Sequence, residues 1–99
     1  MTFVWDPRKE KANIRDHGLS FSVAKFAFND PERWERFDTT HSQYEDRWQT
    51  LALVEKTLFV VFTEEKEDVI RIISARVADE NERRIYNGER DPVNWRKAH

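Results

Sequence analysis

The feature that most constrains this chain is a change of period at Trp34. From there, Trp34 to Phe37, Arg47 to Val54, Thr57 to Thr63 and Val69 to Val77 are short runs rich in β-branched and aromatic residues, the composition of strands. The links Glu55-Lys56 and Glu64 to Asp68 are short and polar. The last three strands therefore predict an antiparallel meander of hairpins. A further short strand is expected at Phe3 to Trp5.

Helix signals flank this run. Asp6 suits an N-cap and Pro7 a first helical position, and Gly18 is a stop, which predicts a helix from Pro7 to His17. It is polar nearly all round, with a thin apolar stripe at Ala12 and Ile14. Ser20 caps a second helix from Phe21 to Phe28, with Val23, Phe26 and Ala27 on one face, and Asn29-Asp30-Pro31 closes it. Asp79 and Glu82 stand at capping-box spacing for a third helix reaching Asn87, with Gly88 as its stop. The expected fold is α+β: an antiparallel sheet of about four strands, two N-terminal helices and one C-terminal helix, packed on one face. Residues 1–88 form one domain, and residues 89–99 read as a tail that is mobile or packs on a partner.

Composition narrows the function. Seventeen Lys and Arg stand against nineteen Asp and Glu, a balance unlike that of proteins that coat nucleic acid by bulk charge. The charge is uneven, with five cations against three acids in residues 1–28 and three against six in residues 29–50. Without Cys there is no disulfide, thiolate metal site or cysteine nucleophile. His17, His41 and His99 are too scattered to predict a metal site, and two glycines make no nucleotide loop, so no cofactor is expected. The first residues reach Asp6 before any long apolar run, and the longest such run, Leu58 to Phe62, is only strand length. A soluble, cytoplasmic protein is the expectation.

The segment Arg71 to Tyr86 concentrates unusual residues. Arg71 and Arg76 interrupt an apolar strand at opposite parity, so either a bulge brings them together or only one lines a site. Arg83 and Tyr86 share a helical face, while Arg84 points about 100° from Arg83, toward water. Trp34, Phe37, Trp48 and Trp95 exceed the needs of a small core and predict an exposed aromatic patch.

Taken in order, Phe3-Val4-Trp5-Asp6-Pro7, Lys11-Ala12-Asn13, His17-Gly18-Leu19-Ser20-Phe21, Phe28-Asn29-Asp30-Pro31, Arg71-Ile72-Ile73-Ser74-Ala75-Arg76 and Glu82-Arg83-Arg84-Ile85-Tyr86 resemble the BrnT toxin family of type II toxin–antitoxin systems. The sequence departs from that pattern at Asp16. The resemblance implies a fold similar to RelE-type ribonucleases and cleavage of RNA. It also implies a BrnA-like antitoxin partner, a 2:2 hetero-oligomer, and operator DNA contacted only through the antitoxin.

Metal-free RNA cleavage needs a base, an acid and cations around the phosphorus. Catalytic candidates are then His17, whose imidazole is the natural acid/base group, with Glu45, Tyr86, Arg71, Arg76 and Arg83. RNA-binding candidates are Lys11, Arg15, His41, Arg47 and Ser74. The alternative is a non-catalytic toxin-like module that pairs with an antitoxin in operator binding.

Overall fold

A computed structural model describes residues 1–98. Its elements, in chain order, are β1 (Thr2–Val4), α1 (Pro7–His17), α2 (Phe21–Ala24), a 3-10 segment (Lys25–Asn29), β2 (Trp34–Phe37), β3 (Trp48–Val54), β4 (Lys56–Lys66), β5 (Val69–Val77), α3 (Glu80–Tyr86) and β6 (Arg96–Lys97). The strands form one sheet in the order β1-β5-β4-β3-β2-β6.

Local chemistry accounts for the helix ends. The Asp6 carboxylate accepts from the Arg8 N–H, Pro7 opens α1, and Gly18, at φ 70°, donates its N–H back to the Ile14 carbonyl. The side chain of Ser20 accepts from the Val23 N–H. At α3 the reciprocal box forms in full, with the Asp79 side chain accepting from the Glu82 N–H and the Glu82 side chain from the Asp79 N–H.

The meander β3-β4-β5 forms as expected, but the sheet is larger and mixed rather than an antiparallel group of about four strands. β1 lies parallel to β5, and β6, supplied by the tail, pairs with β2. β1 covers only Val69 to Arg71; further along, the Asn13 amide brackets Ala75, accepting from its N–H at 3.0 Å and donating to its carbonyl at 2.9 Å. A buried side chain thus completes the hydrogen bonding of the strand where β1 ends. This is why the buried residue of α1 is Asn13, while Ile14 is exposed.

The helices do not share one face. α2 and the 3-10 segment bury Phe21, Ala24, Ala27 and Phe28 against Ala52, Leu58, Val60, Phe62, Ile70, Ile72 and Ala75. The expected face of Val23, Phe26 and Ala27 is corrected, because the chain tightens to 3-10 after Ala24 and leaves Val23 and Phe26 exposed. α3 packs on the opposite face, where Ile85 joins Leu51, Phe59 and Trp95. Residues after Gly88 return to this face: Trp95 is 3% exposed and edge-on to Phe59. Trp95 therefore leaves the expected aromatic patch, whereas Phe37 remains exposed. Among the described residues no helix is long and apolar enough to cross a membrane.

Candidate active site

A bulge answers the question of the two strand arginines. Ser74 pairs with Val61 but Ile72 pairs with Phe62, so Ile73 is an extra residue that inverts the alternation of β5. Residues opposite one another across strands share a face. Three rows follow on the face opposite α1 and α2: Thr63 beside Arg71, then Arg36-Gln49-Val61-Ser74, then Trp34-Leu51-Phe59-Arg76. Arg71, Ser74 and Arg76 thus lie on one face. α3 and Trp95 cover its Phe59 and Leu51 row and leave the end bearing Arg71 polar.

At that end the loop between β2 and β3 supplies a histidine held by a carboxylate. Asp38, 5% exposed, accepts from the Thr40 and His41 N–H groups, each at 3.1 Å. Both of its oxygens stand 3.2 Å from His41 Nδ1. Burial alone would raise the Asp38 pKa, but hydrogen bonds from Gln49, His41 and Thr40 outweigh it and hold the carboxyl below the usual range. The His41 side chain is 64% exposed, so Nε2 faces outward from a fixed ring. Gln49 is itself oriented by Arg36, whose Nε donates to Oε1 at 2.6 Å.

Arg47 belongs to the same loop as this dyad, and Arg71 is tied to that loop through Glu45. Arg71 is gripped by Glu45 through the guanidinium Nη2, and by Glu65, which occupies a bulge of β4. Arg47 stands one residue before β3, where the Thr63 hydroxyl donates to the neighbouring Asp46 carbonyl at 2.6 Å. Its Nε is buried without a hydrogen-bond partner, and it makes no ion pair among the described residues. His41, Glu45, Arg47, Arg71 and Ser74 are thereby gathered at one end of one face.

The other candidates are not brought there. Arg76 forms a two-pronged pair with Glu82 at 2.8 and 2.9 Å and lies over the Phe59 ring at 4.1 Å. Tyr86 donates to Asp30 Oδ2 at 2.5 Å. Burial, then the Asp30 carboxylate, pushes this phenol above its usual range, an environment that suits a strut better than a proton donor. Arg83 lines a shallow cleft with Lys56 and Asn87 at the β3-β4 hairpin end. His17, Lys11 and Arg15 ride on α1, which packs on the opposite face, and Arg15 pairs with Asp16 at 3.0 Å. Arg84 pairs with Glu80 at 2.9 Å.

Sequence reasoning missed Asp38, Gln49 and Arg36. The available signal was Asp38 three residues before His41, the short spacing at which Asp closes a turn on its own loop. Among the described residues no three His, Asp or Glu side chains converge to hold a metal ion.

Comparison with known proteins agrees with this architecture. The family model for the BrnT ribonuclease toxin of type II toxin–antitoxin systems matches residues 5–82. The chain belongs to the BrnT family. The crystal structure of the Brucella abortus ribonuclease toxin BrnT is similar to it at a TM-score of 0.60 and 23% identity, over 81% of this chain and 99% of that one. Comparison with curated proteins returned no match. A BrnT-family toxin implies an antitoxin partner. The family match ends at Glu82, so Trp95 and β6 lie beyond it.

Proposed function

We propose that the polar end of the second face cleaves single-stranded RNA by metal-independent transesterification, with His41 as the general base. The observation that carries this reading is the carboxylate-held imidazole on the same open end as Arg47 and Arg71. His41 Nε2 takes the proton of a 2′-hydroxyl; the 2′-oxygen bonds to phosphorus, the P–O5′ bond breaks, and the departing oxygen takes a proton from water. Arg47 and Arg71 contact the non-bridging oxygens, where charge grows, and Glu45 keeps the Arg71 fork aimed. The open sheet face lined with arginines fits the likeness to RelE-type ribonucleases. A BrnA-like antitoxin, in a 2:2 assembly that alone contacts operator DNA, neutralises the toxin by covering this face.

One observation favours the second reading, a non-catalytic module acting with its antitoxin: Arg71 and Arg76 already have carboxylate partners. A single experiment separates the two. Purified chain is incubated with defined single-stranded RNA in EDTA and the product ends are analysed. Cleavage to 2′,3′-cyclic phosphates is expected, with a loss of at least about a hundredfold in His41→Ala and little change in His17→Ala. Full activity in folded His41→Ala overturns the assignment, and no cleavage by the folded wild type favours the binding module. Expression alone should slow bacterial growth, and a co-expressed antitoxin should restore it.

A further inference from the structure

Beside the dyad, the tail builds a second feature. Between the tail and the loop after β2 lies a cleft of ≈ 720 Å³, within the range of small-ligand sites. Its walls include Phe37 and Trp48, the loop residue Thr40, and Asn94, Arg96 and Lys97 of the tail. Phe37 and Trp48 meet edge to face at 5.3 Å, and the Phe37 side of the pair is 38% exposed. An exposed phenyl ring standing against a second aromatic is a rigid platform for a planar group.

Arg96 is exposed and its guanidinium makes no hydrogen bond or ion pair among the described residues, in contrast to Lys97, which pairs with Glu32 at 2.9 Å. It lies opposite Glu35 across β6 and β2, on the same side of the strands as Phe37, two residues further along. Asp38, Thr39 and Thr40 also line the cleft, and Asp38 is the carboxylate that holds His41. The cleft takes Arg36, Asp38 and Gln49 from the face of the dyad and Phe37, Trp48 and Arg96 from the face of α1 and α2, so a chain crossing the dyad reaches it round the edge of β2, which β6 pairs at Trp34 and Glu35. A flat aromatic, a guanidinium without a partner among the described residues and a path round the strand edge to a phosphate-cleaving centre match the repeating chemistry of a nucleotide.

We propose that this cleft is a nucleotide subsite, in which an unpaired base of single-stranded RNA stacks on Phe37 and an adjacent phosphate meets Arg96. The inference rests on the RNA-cleavage reading and adds to it a specificity element that joins Phe37, inside the family match, to Arg96, beyond it. Asn94, Arg96 and Lys97 complete the cleft, whereas the family match stops at Glu82. The tail thus supplies the phosphate-binding half of the subsite.

The test uses the full chain and a short, unstructured 2′-O-methyl RNA, which binds but lacks the attacking hydroxyl. Fluorescence anisotropy measures its affinity over a range of salt, and cleavage of the matching unmodified RNA is followed in parallel. Phe37→Ala and Arg96→Ala are each expected to weaken binding about tenfold. Arg96→Ala should also lower the salt slope by about one, the signature of a lost phosphate contact. In cleavage the two variants should raise KM and leave kcat nearly unchanged. Arg84→Ala, an exposed residue paired with Glu80 outside the cleft, should keep its affinity. Should Phe37→Ala fail to fold, Arg96→Ala and Arg96→Glu carry the test, because Arg96 is exposed.

Wild-type affinity and salt slope in both variants overturns the subsite, and the cleavage reading then stands or falls on His41→Ala alone. Binding that depends on Phe37 and Arg96 in a chain that cuts no RNA sustains the subsite and overturns the cleavage reading. No binding by the wild type overturns the subsite directly. Loss of antitoxin binding in the variants with unchanged RNA affinity assigns the cleft to the protein partner and also overturns it.

Discussion

The two faces of the sheet are built on different principles. The face under α1 and α2 is a continuous apolar layer in which Phe21, Ala24, Ala27, Ala52 and Val60 are fully buried. The other face is divided. Phe59 and Leu51 lie beneath α3 and Trp95, while the row of Arg36, Gln49 and Ser74 and the neighbouring Arg71 remain polar. Stability is thus concentrated on one side, which leaves half of the other side available for charge. Each arginine on that divided face also shows what it does by its partner. Arg76 grips a buried carboxylate at the start of α3, whereas Arg47 has none among the described residues.

Substitutions test this division. The largest effect is expected on the apolar face: Phe21→Ala should cost about 3–5 kcal/mol and unfold much of the protein at 37 °C, as read by thermal denaturation. Retention of the wild-type midpoint would show that α2 is not the element that seals the sheet. Arg76→Ala comes next. It strips Glu82, 7% exposed, of its cation and its support over Phe59, and should cost about 2 kcal/mol in chemical denaturation. Lost cleavage at unchanged stability would move Arg76 from strut to catalyst.

A pH experiment addresses the polar end. Asp38 has its folded pKa held below the ordinary carboxylate value of 3.8, so its stabilising contribution is complete above that pH. The contribution disappears as the pH falls through the folded value, because the unfolded chain takes up the proton first. Asp38→Asn should therefore lower stability near neutral pH and flatten its decline below about pH 4. Parallel acid-unfolding curves for the two proteins would refute this. The smallest effect belongs to Arg84→Ala, an exposed pair with Glu80 one turn away, worth about 0.3–0.5 kcal/mol in urea titration. Activity should stay within a few-fold.

Much of this molecule is legible without coordinates wherever the controlling interaction is local. The Asp6-Pro7 start, the Gly18 stop, the Ser20 cap and the Asp79–Glu82 box each depend on residues within one turn. Strand limits at Val69–Val77 follow from a run of apolar residues bounded by polar links. The β4-β5 link is less transparent, because β4 continues through Glu64 and Glu65 to Lys66. Those charged residues extend the strand because β5 offers backbone partners, which composition does not reveal.

The candidate site was legible by residue type but not by arrangement. Arg71, Ser74, Arg47, His41 and Glu45 were all recognised as candidates, yet so were His17 and Tyr86, which the fold separates from them. The presence of helix caps, hairpins, an arginine-bearing last strand and the family pattern was determined by the order of residues alone. Which face each residue occupies was decided only by tertiary structure. One unpaired residue, Ile73, reverses the alternation of β5, and nothing in its own chemistry marks it as a bulge. The same holds for Trp95, whose burial depends on Phe59 and Arg36, thirty and more residues away, forming the surface it covers. Side-chain alternation has a period of two, so a single insertion moves every later residue to the other face, and only long-range pairing registers that shift.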